Sequence, residues 1–577
     1  MCSLFDGRRN LRLPICTGTL LKDQGSFRWG TNVKPINHPT IFQPLKPQNY
    51  LYSSSKTFSK MKRILFIALV FSINIVHAQV ITSSQIDSLV NLTLKTFDVP
   101  GIAVAVIKDG KVIHAKGYGV RSLKNNLPVD ENTLFGIASN SKAFTVAALA
   151  MMVDEGKLKW DDKVIDYIPE FRMYDPYVTN AFTIRDLLTH RSGLGLGAGD
   201  LMFFPDGNKF TKEEMIKNIR YLKQVSGFRT QYDYDNNLYI VAGEVLARVS
   251  GISWEEFIEK RIMEPIGFLT SKASWGRVKN NTNIIDAHVP FNGKVQAIAH
   301  DWSENANAAG GILSNLTDLS KWVILQMNNG KYGEGLSKKL FSEETHDEMW
   351  SVQTTIRVGG PGAYNTHFAG YGLGWFLNDT KGYKQVSHTG GLLGTVTQVT
   401  LLPELKLGII VLTNQQSGAA FTAITNTIKD SYLGVTGKDR VKQYHDNVVK
   451  NEVEAKTITE GIWKAIDSTQ KANKVKPNTS LYTGTYADSW FGNVNIAEKN
   501  GGLRFSSEKS PRLTGEMLPY KGSTWIVKWD DRSFDADAYV MFSLDTDGKA
   551  TGITMKPISP LTDFSFDFQD LDLKRSL

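Results

Sequence analysis

Cysteine is nearly missing from this chain of 577 residues, which holds two, Cys2 and Cys16. Everything after residue 16 is therefore without a disulfide, a thiol nucleophile or a cysteine-based metal site. A His-Glu-x-x-His pair and any close cluster of ligand-type side chains are missing too, so no metal and no other cofactor is expected. Long apolar runs are scarce. One, Ile64 to Val76, spans 13 residues, short of the ~20 that a membrane-spanning helix needs, and nothing later is longer and more apolar. An excess of one charge is missing once its source is located. The chain carries 66 Lys+Arg against 58 Asp+Glu; the first 78 residues hold 11 of those cations and 2 of the anions, so the rest carries 55 and 56. A body so close to neutral gives no basis for a nucleic-acid partner.

What is present begins with a processing segment. Met61 to Ala78 reads MKRILFIALVFSINIVHA, two cations followed by the apolar run and the small residues Val76 and Ala78. That is the layout of a signal peptide. Cleavage near Ala78 is expected, giving a periplasmic or secreted protein with no stable membrane span and no cysteine for a lipid anchor. Residues 1–60 are then expected to be a non-structural upstream extension; their Ser-rich, basic, acid-poor composition also fits an organellar transit peptide. The whole chain is 41% hydrophobic and 21% charged, a globular composition, and its length calls for two or three domains.

Past the signal, Ile86, Leu89, Val90, Leu94 and Phe97 recur at helical spacing, with Ser83 or Ser84 as cap. The runs on either side of Asp109-Gly110 predict a β-hairpin. Ala143 to Val153 is apolar all round and predicts a buried helix with Ser139 at its start. Residues 158–269 read as mostly helical, and strands return after Ile312, most clearly at Gln398 to Leu402 and Leu407 to Thr413. Lys438 to Lys474 reads as a solvated helical connector with scattered apolar positions such as Val448, Val453, Ile458 and Ile462. Beyond Pro477 the alternation changes to short strands, at Asn493–Ile496, Trp525–Trp529, Tyr539–Phe542 and Phe564–Phe568, with turns at Gly501-Gly502 and Asp547-Gly548. A small antiparallel barrel of roughly 100 residues fits.

Three short stretches carry chemistry. Ser139-Asn140-Ser141-Lys142 puts a hydroxyl and an amine three positions apart on one helical face. A serine hydroxyl is a weak nucleophile until a base takes its proton, and a buried lysine serves as that base if its pKa falls toward neutrality. The same spacing recurs at Ser53, Ser59, Ser468 and Ser506, but only Ser139 is followed by a buried apolar helix. Tyr234-Asp235-Asn236 precedes another helical run; its phenol suits proton transfer to a leaving group, and Asn236 suits hydrogen bonding to a substrate amide. His388-Thr389-Gly390-Gly391 leads into the strand-like Thr395 to Leu402, where paired glycines let a substrate backbone approach an edge and His388 is placed to bind an anionic group or steady the proton network.

In this order the three stretches resemble the Ser-x-x-Lys, Tyr-x-Asn and Lys/His-Thr-Gly motifs of class C β-lactamases, related D-alanyl-D-alanine peptidases and esterases. Phe182 to Leu194 (FTIRDLLTHRSGL), Ala309-Gly310-Gly311-Ile312 and Tyr371-Gly372-Leu373-Gly374-Trp375 add to the resemblance, which covers about residues 81–435. It implies an α+β fold, an antiparallel sheet flanked by helices with an inserted all-helical domain, of the β-lactamase/transpeptidase type, over residues 79–435. A charged helical linker over 436–476 and a lipocalin-like β-barrel over 477–577 follow. It implies an acyl-enzyme on Ser139, with Lys142 and Tyr234 sharing the base and acid roles, either as neutral lysine with protonated tyrosine or the reverse. Asn236, His388, Thr389, Gly390 and Gly391 bind substrate, the oxyanion hole comes from the N–H groups of Ser139 and Gly391, and His190 is structural. The expected substrate is a small peptide, a D-amino-acid amide or an ester. Histidine at 388, where class C β-lactamases usually carry lysine, turns the reading from β-lactam hydrolysis toward a peptidase or esterase. A β-lactamase and a slowly deacylating penicillin-binding receptor are the alternatives. Substrate gating or assembly, including a homo-oligomer, is the role expected of the barrel.

Overall fold

The computed structural model of the chain describes residues 80–291, 293–472 and 477–576. The expected extension over 1–60 and the signal peptide over 61–78 lie outside the described residues.

Helix α1 (Ser83–Thr96) buries Ile86 and Val90, but neither Ser83 nor Ser84 caps it. Thr82 does, its hydroxyl accepting from the Gln85 N–H while the Gln85 side chain accepts from the Thr82 N–H, a reciprocal box that leaves both serines inside the first turn. Strands β1 (Gly101–Lys108) and β2 (Lys111–Gly119) form the expected hairpin. Asp109 and Gly110 both adopt positive φ (51° and 74°), the conformation a two-residue turn between right-twisted strands requires. The chain then leaves the sheet for a helical layer that includes α2 (Ser141–Asp154), α3 (Asn237–Ser250) and α4 (Leu316–Met327).

It returns as β3 (Thr354–Ile356), β4 (Ala369–Tyr371), β5 (Phe376–Thr380), β6 (Tyr383–Leu392), β7 (Thr395–Leu402) and β8 (Leu407–Thr413). The eight strands lie in the order β2-β1-β8-β7-β6-β5-β4-β3, all antiparallel. Residues of β1 alternate between two cores. Ala103, Ala105 and Ile107 face the helical layer with α2 and α4, while Ile102, Val104 and Val106 face α1 and helix α5 (Gly418–Leu433). A strand buried on both faces reads as the continuous apolar run seen at 102–107. This is the expected α+β architecture, with the mostly helical segment inserted between the second and third strands of the sheet.

Helix α6 (Arg440–Ala472) connects to the last domain. It is less solvated than its composition implies: Val441 packs on α5, and Ile462 and Ile466 pack on the barrel, whereas Val453 and Ile458 are exposed. The barrel is closed and lipocalin-like: β9 (Gly484–Asp488), β10 (Gly492–Lys499), β11 (Gly502–Ser507), β12 (Thr514–Lys521), β13 (Thr524–Trp529), β14 (Ala538–Leu544), β15 (Ala550–Pro557) and β16 (Asp572–Arg575) run antiparallel in sequence order. Its interior is filled by side chains such as Tyr486, Phe505, Trp529 and Val540. Phe564–Phe568 is not one of its strands. The segment is a loop with local turns, the Phe566 N–H donating to Asp563 O and the Phe568 N–H to Phe566 O. Its Phe-Ser-Phe-Asp-Phe alternation arises because Phe566 and Phe568 enter the core while Asp567, equally buried, accepts backbone N–H groups from the helical layer. No helix among the described residues is long and apolar enough to cross a membrane.

Candidate active site

Ser139 lies in a single 3-10 turn, Ala138–Asn140, that feeds α2. Ala138 ahead of it takes a positive φ of 49°, a conformation that costs an alanine roughly 1–2 kcal/mol and that its neighbours enforce. The Asn140 side chain donates to Thr397 Oγ1 at 2.9 Å, and Thr397 Oγ1 donates to Ile137 O at 3.0 Å, tying the turn to β7. Ser141 Oγ accepts from the Ile312 N–H at 3.1 Å.

One turn along the same face, Lys142 is fully buried. Its Nζ lies 3.0 Å from Ser139 Oγ, 2.7 Å from Asn236 Oδ1 and 2.9 Å from the Ala309 carbonyl. It also sits over the rings of Tyr234 and Tyr239, 4.8 and 5.2 Å from their centroids. Burial brings the Lys142 pKa down to about 7, and the Asp200 and Asp235 carboxylates only partly oppose it. Two of the three neighbours, Asn236 Oδ1 and Ala309 O, can only accept. A neutral amine gives its two N–H groups to them and points its lone pair at the Ser139 hydroxyl.

Tyr234 is held by the ring of His190, centroids 4.1 Å apart. His190 in turn accepts the Asp235 N–H at Nδ1, 3.1 Å away, so that its proton is on Nε2. The Tyr234 hydroxyl has no hydrogen-bond partner. Burial pushes it well above 10, and the adjacent Ser139 offsets only part of that. Asn236 heads α3 without capping it; its side chain is taken instead by Lys142 and by Asp200 Oδ2, to which Nδ2 donates at 2.8 Å.

On the other side of Ser139, β6 pairs with β5 only as far as Ser387, so residues 388–392 have an open flank. Gly390 packs against the serine turn; a Cβ there would stand 2.1 Å from Ile137 O. The pocket is lined by Ser139, Tyr234, Asn236 and Gly391, by Phe203, Phe204, Trp302 and Leu392, and by Asp563, Phe564 and Ser565 of the barrel loop.

The family profile described as Beta-lactamase matches residues 86–433. The chain belongs to that family. As a Beta-lactamase family member it is a serine hydrolase. A second profile, a domain of unknown function (DUF3471), matches residues 470–575. Among similar curated proteins, an unguisins hydrolase (ungD') of Aspergillus campestris is 24% identical over 490 residues, covering 81% of this chain and 89% of its own. A second unguisins hydrolase (ungD), of Aspergillus violaceofuscus, is 26% identical over 431 residues, covering 70% and 74%. The octameric penicillin-binding protein homologue from Pyrococcus abyssi shares the fold, with a TM-score of 0.54 and 22% identity over 83% of this chain and 98% of that one.

Within this Beta-lactamase family site, the structure brings Ser139, Lys142, Tyr234, Asn236 and Gly391 together. It does not bring His388 to the pocket. That ring is buried behind Tyr371: Nδ1–H donates to the Thr389 carbonyl at 2.6 Å, and the Tyr371 hydroxyl donates to Nε2 at 2.9 Å. Burial, reinforced by Lys142, lowers its pKa to about 3, so it is neutral. Thr389 and Gly390 flank the site without lining it. Sequence reading missed Asp200 and the loop 563–567, which belong to no motif. Ala309-Gly310-Gly311-Ile312 was visible as a pattern without a role; it supplies the carbonyl that Lys142 holds and the N–H that Ser141 accepts.

Proposed function

We propose that the protein is an exported serine hydrolase that cleaves an amide or ester of a small peptide, D-amino-acid or ester substrate through an acyl-enzyme on Ser139. The observation that carries this is the placement of Lys142 Nζ, 3.0 Å from Ser139 Oγ and flanked by two obligate acceptors, Asn236 Oδ1 and Ala309 O. Neutral Lys142 takes the proton as Oγ bonds to the carbonyl carbon. The oxyanion is held by the N–H groups of Ser139 and Gly391. The bond to the leaving amine or alcohol then breaks as Tyr234, with its free hydroxyl, returns a proton to it, and Lys142 re-protonates the phenol. Water repeats the sequence on the acyl group and frees Ser139. Burial of Tyr234 favours neutral lysine with protonated tyrosine over the reverse pair.

Two features support a substrate that presents no carboxylate to the pocket over a β-lactam, which carries one. The pocket lining mixes aromatic and aliphatic side chains with polar ones and one acid, Asp563, and no Lys or Arg is among them; His388, neutral and turned away, supplies no cation either. Export is read from the layout of Met61 to Ala78. Stopped-flow hydrolysis of p-nitrophenyl acetate tests the mechanism: a burst stoichiometric with active sites is expected, and Ser139→Ala is expected to abolish it. A full burst in that variant overturns the proposal.

A further inference from the structure

The barrel loop does more than border the pocket. Phe564 meets the Tyr234 ring edge-on, with centroids 5.9 Å apart. Asp567 accepts from the Gly199 N–H at 2.6 Å and the Leu201 N–H at 3.1 Å. Between them, Ser565 Oγ donates to Asp200 Oδ2 at 2.8 Å, the same oxygen that accepts from Asn236 Nδ2. A continuous chain of hydrogen bonds thus runs from the barrel through Asp200 and Asn236 to Lys142 and Ser139.

We propose that Ser565 is a positioning residue for Lys142, acting through Asp200 and Asn236. This rests on the reading of Lys142 as the base for Ser139. A carboxamide has two unlike ends, and Lys142 is served only if Asn236 turns its oxygen toward it. What decides the turn is an acceptor at the other end, Asp200 Oδ2. Asp200 is fully buried and its Oδ1 has no partner, so both donors that stabilise its charge converge on Oδ2. Removing the Ser565 hydroxyl leaves one. Burial already raises the Asp200 pKa well above the usual carboxylate range, and the Asn236 and Ser565 donors oppose that rise; with one donor gone the carboxyl moves further toward its protonated form, which donates, and the amide then turns its NH2 toward the lysine.

The groups that face Lys142 are Tyr234, Tyr239, His190, His388, Asp200 and Asp235. Those that face Asp200 are Lys142, Asp235, Asp567 and Tyr234. Of the charges near Lys142, Asp200 is the one that a hydrogen bond from the barrel loop reaches directly. Losing it withdraws an interaction that raises the Lys142 pKa, so the amine becomes neutral at lower pH.

The test is the pH dependence of kcat and KM with p-nitrophenyl acetate for the full chain, Ser565→Ala and Ser565→Thr. In Ser565→Ala, kcat is expected to fall about tenfold, the worth of one buried hydrogen bond, with KM within about twofold and the acid limb moved to lower pH. Ser565→Thr keeps the hydroxyl and is expected to retain both. Asp200→Asn keeps an acceptor oxygen but no charge, and moves the limb the same way with a smaller loss of kcat. Unchanged kcat and limb in Ser565→Ala, or a change in KM alone, overturns the proposal. A fluorophosphonate adduct on wild-type Ser139, read by intact mass, keeps the two readings apart. Its presence with an unmoved limb removes only the role of Ser565, and its absence removes the function and this inference together.

Discussion

A lysine acts as a base only while something keeps it neutral, and at Lys142 that is burial beneath two tyrosine rings. Arginine would fill similar space but stays protonated at any working pH. Lys142→Arg is therefore expected to lose about 10²–10⁴-fold in kcat/KM and to lower the Tm, since it forces a charge into a site whose burial keeps the lysine neutral; retained activity would show that position 142 supplies charge, not proton transfer. Protons compete for the same lone pair, so kcat/KM is expected to rise with pH through an acid limb near 7, the lowered pKa of Lys142. A profile flat from pH 5 to 9 would contradict this. Tyr234→Phe removes a hydroxyl that has no hydrogen bond to lose, so stability should hardly change. Its kcat is expected to fall about 10²-fold with amide substrates, and steady-state kinetics alongside thermal melting separate the two effects.

At the level of elements, the site depends on how closely β6 approaches the serine turn. Gly390→Ala would place a Cβ 2.1 Å from Ile137 O and 2.6 Å from Thr397 Oγ1, both of them held in place by the bonds that tie the turn to β7. The strand must move, carrying Gly391 away from Ser139, and acylation by a fluorophosphonate is expected to slow at least tenfold, with a lowered Tm. Such packing was partly legible in the chain. The all-apolar run 143–153 announced α2, Asp109-Gly110 announced the hairpin, and the spacing of Ser139 and Lys142 announced their contact, because each rests on local geometry. Asp200 was not legible, since its role comes from a loop more than 350 residues further on. His388 was expected just ahead of the strand at 395–402; it lies inside β6 (Tyr383–Leu392), and only the partners of its two nitrogens show that it faces Tyr371 and not the pocket. The alternation of Phe564 to Phe568 obeyed a strand's period for a different reason: its aromatics and its acid are buried against different neighbours.

Over the whole molecule, the barrel is seated by polar contacts as well as by the loop. Arg512 donates to Asp301 Oδ2 at 2.7 Å and to Asp531 at 2.8 Å, and Lys509 pairs with Glu214 at 2.7 Å. Asp301 is almost fully buried, so Arg512→Leu strands a carboxylate. The cost is expected to be roughly 1–3 kcal/mol, below that of a fully buried pair because Arg512 keeps some exposure. It should appear as a lower Tm together with a reduced kcat, since the same interface carries Ser565; a lower Tm with unchanged kcat would mean that the barrel seats independently of the site.

The central claim, a covalent mechanism on Ser139, is tested most directly by intact-mass spectrometry of the wild-type chain and Ser139→Ala after exposure to a fluorophosphonate and, separately, to a penicillin. The account predicts one fluorophosphonate adduct on wild type and none on the variant, with a penicillin adduct that is absent or clears slowly. Rapid penicillin turnover would identify a β-lactamase instead, and no adduct on Ser139 with either reagent would contradict the mechanism.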